Sequence, residues 1–338
     1  MRKILVVAVA LISVSLIACQ NEESESVSSA CDRQCLEGFV NQYLAAMVAG
    51  DASQAPFSED VKYTENAKTL SLISPDEGLW TNAKSLNDYK FYIADLQSQQ
   101  VAFVGFVEEE GAAVDATPAL LSMRLKIENK EITEVESAVI RSVRAANIWA
   151  LTTPPVEFST ALPPEEKVSR EELIKVSNLY FDGIEQLNGS IVPWHEECYR
   201  LENGMWTAGP VLPEEIEAHR PNSVNTGPQP GGSMGVFDKQ ECAVGFNGGG
   251  LAVIENITPR RTPVVDVERG VTWGVYMFNH QGVETITMPD GSTADAPYFA
   301  GMPNSMPMSE LFKIKGGKIR DVLALGVVNE YMSGSGWD

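Results

Sequence analysis

Residues 271–278 (VTWGVYMF) are apolar on both faces if they are extended. Side chains alternate along a strand, so Val271, Trp273, Val275 and Met277 fall on one side and Gly274, Tyr276 and Phe278 on the other. Such a strand has to be covered twice. It is the return limb of a hairpin spanning 260–280, entered through Thr262, Val264 and Val265 and turned over 266–270 (DVERG), where Asp and Gly suit a tight turn. A weaker version of the same hairpin lies at 90–107.

The second hairpin is part of a duplication. Tyr43-Leu44 and Tyr180-Phe181, Pro56-Phe57 and Pro193-Trp194, and residues 63–67 and 200–204 all correspond at one offset of 137, while 126–135 and 313–322 correspond at an offset of 187. The growth in offset places insertions in the second copy, between Met205 and Phe237 and between Gln281 and Met308. Each copy opens with an amphipathic helix. Leu36, Phe39, Val40, Tyr43 and Met47 recur at helical spacing after the N-cap candidate Asp32, with Gly50 as the stop. Leu173, Val176, Tyr180 and Ile184 do so after a capping box at 169–172, with Asn188-Gly189 ending the helix. Each copy closes with two strands, 121–127 and 132–140 in one, 308–314 and 319–327 in the other. One helix followed by four to six antiparallel strands is an α+β pattern, a helix layer on a sheet. The expected domains are 31–150 and 169–338, joined by a Pro-rich linker over 151–168.

The N-terminus reads as an export signal. Two basic residues precede a 15-residue apolar run, 4–18, too short for a comfortable membrane span. Leu16-Ile17-Ala18-Cys19 resembles the bacterial lipobox, which implies removal of 1–18 and acylation of Cys19. Gln20 after the cysteine implies sorting to the outer membrane in Gram-negative cells. Residues 19–30 are acidic, serine-rich and aperiodic, as a flexible tether would be. Loss of Arg2 and Lys3 leaves 23 Lys+Arg against 46 Asp+Glu, a formal charge of −23 that disfavours nucleic acid and anionic lipid headgroups as partners of the body.

Four cysteines remain in what would be an oxidising compartment, and three pairings are open. Spacing favours Cys31 with Cys35, neighbours on one helix's first turns, and Cys198 with Cys242. A zinc site is disfavoured because no C-x-x-C spacing occurs.

The landmarks Glu-Asn-Gly at 202–204, RRTPVVDVERG at 260–270, Phe-x-His-x-Gly at 278–282 and Ser-Gly-Trp at 335–337 resemble an uncharacterised secreted SnoaL-like family of the nuclear transport factor 2-like superfamily. The resemblance covers roughly 31–338. It implies two tandem cone-shaped domains, each a helix layer on a curved antiparallel sheet. It also implies packing through the outer sheet faces as a pseudo-dimer within one chain, with a small-molecule pocket in a cone mouth.

All three histidines, His195, His219 and His280, lie in the second copy, which is where a site is sought. His280 ends the central strand on the Tyr276, Phe278 face and suits general acid/base work, with Glu202 and Tyr180 as its catalytic companions. Arg260, Tyr276, Trp194, His195 and Tyr199 are the substrate-binding candidates, Arg260 for an anionic group. The rival assignments are structural: a strand-end turn for His280, an Arg200–Glu202 pair on one strand face, core aromatics, and a turn role for Asp266 that Asp95 would share. No nucleophile elbow, phosphate loop or H-E-x-x-H motif occurs, and no cofactor or metal is expected. The sequence therefore points to an envelope lipoprotein with a pocket for a small apolar compound, acting as a cofactor-free lyase, isomerase or hydrolase. The alternative is a non-catalytic ligand-binding or scaffolding lipoprotein. In either case no obligate partner is expected.

Overall fold

The computed structural model describes residues 30–72, 75–112, 118–221, 241–288 and 290–337. The candidate signal segment, Cys19 and nearly all of the tether lie outside the described residues, as does part of the first insertion of the second copy.

The first half begins with α1 (Arg33–Ala49), capped at its start by Asp32, whose side chain accepts from the Cys35 amide, and stopped by Gly50 at φ 64°. Then follow β1 (Phe57–Glu65), β2 (Lys68–Leu70), β3 (Ala83–Asp95), β4 (Gln100–Glu109), β5 (Ala119–Glu128) and β6 (Glu131–Ile140). They form one sheet in the order β2-β1-β6-β5-β4-β3.

The second half repeats this plan. Helix α2 (Arg170–Glu185), capped by Ser169, is followed by β7 (Trp194–Glu202), β8 (Met205–Ala208) and the short helices α3 (Glu214–Glu217) and α4 (Cys242–Asn247). Next come β9 (Asn256–Asp266), β10 (Val271–His280), the small pair β11 (Thr285–Thr287) and β12 (Thr293–Asp295), then β13 (Asn304–Lys315), β14 (Lys318–Gly326) and β15 (Asn329–Glu330). Its sheet runs β8-β7-β14-β13-β10-β9, the same order as the first, with β15 added beside β13.

Two expectations need correction. Neither sheet is wholly antiparallel, because the first and last long strands of each half, β1 with β6 and β7 with β14, pair parallel. Strand alternation reports a buried face and is blind to strand direction. Asn188-Gly189 does not end the second helix, which stops at Gln186; Asn188 instead caps the 3-10 turn Gly189–Ile191.

The double cover demanded by 271–278 comes from two different sources. Tyr276 and Phe278 pack beneath α2 with Leu173, Tyr180 and Phe181. Val271, Trp273 and Val275 turn the other way and share one core with Phe91, Val104, Phe106 and Leu120 of the first sheet. The linker is built into this core: Phe158 is fully buried there, and its ring lies 5.4 Å from that of Phe91.

Contacts across the interface come in symmetric pairs, as an isologous contact requires. Arg33 at the start of α1 pairs with Asp266 of the second domain at 2.6 Å, and Arg170 at the start of α2 pairs with Asp95 of the first at 2.7 Å. Ser122 and Ser309, equivalent residues of the two halves, share a hydrogen bond of 2.7 Å between their hydroxyls. The C-terminus adds an asymmetric clasp, in which the Trp337 indole N–H donates to Thr64 of the first domain and its ring lies against Arg124.

Cys31 joins Cys35 and Cys198 joins Cys242, the pairing that spacing favoured. The second bond fastens α4 to β7.

Candidate functional site

Beneath α2 the second domain leaves a cavity of about 180 Å³. Its walls are mostly apolar, from Ile184, Phe246, Leu251, Phe278, Met306 and Met308. An engineered apolar void of about 150 Å³ takes benzene, so this one has room for a compound of roughly one ring.

The polar groups gather around Arg200. Its Nε donates to the Tyr180 hydroxyl at 2.7 Å, and its Nη1 donates to Glu202 at 2.7 Å and to Thr207 at 2.9 Å. Arg200 and Glu202 meet because they are two apart on β7 and share a strand face. Burial pushes the Tyr180 phenol well above its ordinary value, so it stays protonated as a hydrogen-bonding group.

His280 also lines the cavity. It is 2% exposed, its Nδ1 has no hydrogen-bond partner, and Phe299 packs against it at 4.9 Å between ring centroids. Burial pulls its pKa down to about 4 against the opposing effect of a side-chain hydrogen bond with Asn304, so the ring is neutral near pH 7.

The three residues expected to be catalytic, His280, Glu202 and Tyr180, thus line one cavity. The five expected to bind substrate do not. Arg260 is held by Asp182 and Glu185 of α2, each at 2.7 Å, because its position on the edge strand β9 faces that helix. Tyr276 spends its hydroxyl on Thr262 at 2.8 Å under α2. Trp194 packs edge-on to Tyr180 and donates to the Gly189 carbonyl. Its neighbour His195 accepts the Glu197 amide at the strand edge. Tyr199 points through the sheet into the interdomain core, since odd-numbered residues at that part of β7 face away from α2. Asp266 is structural, spent on Arg33 and on the Arg269 amide. Among the described residues no group of His, Cys, Asp and Glu is placed to hold a metal ion.

Sequence reasoning missed Glu310. It is fully buried on β13, and neither carboxylate oxygen has a hydrogen-bond partner. It shares a strand face with Met308, two residues away, which lines the cavity, but Glu310 itself does not line it. Burial pushes its pKa up to about 7 against the opposing pull of Arg200. Because the folded value lies above the ordinary 4.5, the folded state holds this proton more tightly. Glu310 therefore withdraws stability as pH rises from about 4.5 through about 7. The offset of 187 would have exposed it, since its equivalent in the first half is Met123, an ordinary buried core residue.

At the matching place in the first domain stands Trp80. The Trp80 indole donates to Tyr43, the equivalent of Tyr180, at 2.8 Å and packs edge-on to it at 5.4 Å. Glu65, the equivalent of Glu202, is spent on the Tyr63 hydroxyl and the Leu79 amide.

No curated protein matches this sequence. Among solved structures, one titled "Crystal Structure of AclR a putative hydroxylase from Streptomyces galilaeus" is similar at 12% identity over 33% of this chain and 82% of that chain, with a TM-score of 0.20, too low to carry an argument. A family model matches residues 29–139 and 166–326, two regions consistent with a duplicated domain. The chain belongs to that family, described as Domain of unknown function (DUF8021).

Proposed function

We propose that this chain is a lipid-anchored envelope protein whose second domain binds a small, largely apolar organic compound and acts on it by proton transfer without a cofactor, as a lyase, isomerase or hydrolase. The observation that carries this reading is the asymmetry of the duplication. One half packs Trp80 against Tyr43 under its helix, and the other has a cavity lined by a neutral His280 whose Nδ1 has no hydrogen-bond partner. An orphaned buried polar group costs stability, which a fold-only role does not require.

In this reading His280 accepts a proton through Nδ1, the Tyr180 hydroxyl orients a polar group of the compound, and Glu202 balances Arg200. Both halves are read as SnoaL-like, nuclear transport factor 2-like cones. The repeated plan of one helix over a sheet supports this. The internal pseudo-dimer takes the place of an obligate partner.

The second reading, a binding protein without catalysis, is favoured by the Arg200 network, in which Nε and Nη1 already donate to Tyr180, Glu202 and Thr207 within the protein. One experiment separates the two. The soluble body, with Ala208→Phe and His280→Gln variants, is incubated with a metabolite library and followed by mass spectrometry. The wild type is expected to deplete a compound. His280→Gln should do so on the order of a hundredfold more slowly, as loss of a positioned base typically gives, and Ala208→Phe, with its cavity filled, not at all. Retention of a compound without conversion supports the binding reading instead. Equal conversion by both variants overturns the site.

Anchoring has its own test. Cys19→Ser should leave the outer-membrane fraction and lack acylation, and membrane recovery at the wild-type level would sink the lipoprotein assignment.

A further inference from the structure

The connection between β10 and β13, residues 281–303, is longer than its match between β4 and β5 in the first domain, residues 110–118. The repeated fold does not require the extra length. It brings Tyr298 and Phe299 to the wall of the cavity. Phe299 lies against His280, and Tyr298 stands edge-on to Phe299 with ring centroids 5.4 Å apart.

Tyr298 differs from the two other tyrosines of this region. The Tyr180 hydroxyl accepts from Arg200, and the Tyr276 hydroxyl is bonded to Thr262. The Tyr298 hydroxyl has no hydrogen-bond partner among the described residues, and its oxygen is not sealed off as the Glu310 oxygens are. It lies within electrostatic reach of Glu202 and Arg200, which line the same cavity. Burial pushes this phenol well above its ordinary value, Glu202 adding to the rise and Arg200 opposing it, so the group stays a donor at neutral pH.

A hydroxyl that meets a mostly apolar cavity without a partner forgoes a hydrogen bond, which an accepting atom of a ligand restores. An ion is a poorer fit. The charged groups lining the cavity are Arg200 and Glu202, already paired at 2.7 Å, and the His280 ring is neutral. A charge brought into this space would lose its hydration without meeting an unpaired opposite charge on the wall. We propose that the cavity selects small apolar compounds that carry an uncharged accepting oxygen, as in an alcohol, ether or ketone, and that the Tyr298 hydroxyl donates to that oxygen. The apolar body of the ligand then lies against Phe246, Phe278 and Met306. This selection rests on the cavity reading above and narrows it, with Tyr298 as the specificity-determining residue.

The test uses benzyl alcohol, toluene and benzoate, titrated at neutral pH into the soluble body and its Tyr298→Phe variant and followed by protein NMR. Loss of the hydroxyl should weaken benzyl alcohol about threefold to tenfold, the scale of one neutral hydrogen bond, and leave toluene unchanged. Thermal unfolding of the free variant should match that of the wild type, because the hydroxyl gives up no protein partner. Benzoate should bind the wild type on the order of tenfold more weakly than benzyl alcohol, as a charge without a match.

A Tyr298→Phe variant that binds benzyl alcohol as the wild type does, or that loses toluene equally, overturns this inference and leaves the cavity reading standing. An early melt of the free variant, or benzoate bound as tightly as benzyl alcohol, does the same. Failure of the wild type to bind either benzyl alcohol or toluene overturns both.

Discussion

Trp273→Ala is expected to cost about 3–5 kcal/mol, the range for truncating a fully buried tryptophan. Trp273 has no exposed surface and sits on the outer face of the second sheet, in the core shared by both domains. Its indole N–H donates to the Ser122 hydroxyl of the first domain at 2.9 Å, and that hydroxyl in turn shares a hydrogen bond with Ser309. The change therefore removes a large apolar surface and a cross-domain hydrogen bond at the same point.

Because the lost contacts belong to both halves, the loss should appear in one cooperative transition. Urea unfolding followed by tryptophan fluorescence and by circular dichroism would show a single shifted midpoint. A loss below about 1 kcal/mol, or a first domain that unfolds at its original midpoint, would mean that the halves are stable separately and the shared core is dispensable.

Replacing Cys198 and Cys242 together by alanine should lower stability by about 2–4 kcal/mol and also weaken the cavity. The bond closes a separation of 44 residues, whereas Cys31–Cys35 closes only 4, so removing the latter should cost less by the loop-entropy argument. The functional part of the effect follows from position. Cys242, Gly245 and Phe246 line the cavity from α4, a helix of only six residues that the disulfide fastens to β7. Such a short helix has little stability of its own.

Benzyl alcohol binding should thus fall further in the Cys198/Cys242 variant than its stability loss at the working temperature explains. In the Cys31/Cys35 variant it should be unchanged. Equal ligand affinity in all three proteins would show that α4 holds its place without the disulfide.

Local pattern carried much of the fold. The two-faced strand at 271–278 required cover on both sides, and it has α2 on one and the first domain on the other. The caps Asp32, Gly50 and Ser169 read correctly because capping chemistry involves residues only a few positions apart. The duplication was legible from fixed offsets, and the family match over two regions agrees with it.

The candidate site was legible only in part. His280, Glu202 and Tyr180 carried a signal in their residue types, although each also had a structural assignment open to it. Arg260 carried the same signal and went instead to Asp182 and Glu185, since which side of an edge strand faces a helix is a matter of packing. Glu310 carried no local signal, standing among apolar residues as a single acid.

The sequence by itself determined the α+β class, the repeat, the hairpins, the helix starts and the disulfide pairing that spacing favoured, because these depend on periodicity and on short-range chemistry. Only the tertiary structure decided that β1 pairs parallel with β6 and β7 with β14, that Trp80 packs under the helix of one half while a cavity lies under the other, and that the Glu310 carboxylate is left without a hydrogen-bond partner. These outcomes depend on which distant side chains compete for one enclosed space, and burial sets both the cost of an unmatched charge and the pKa that follows from it.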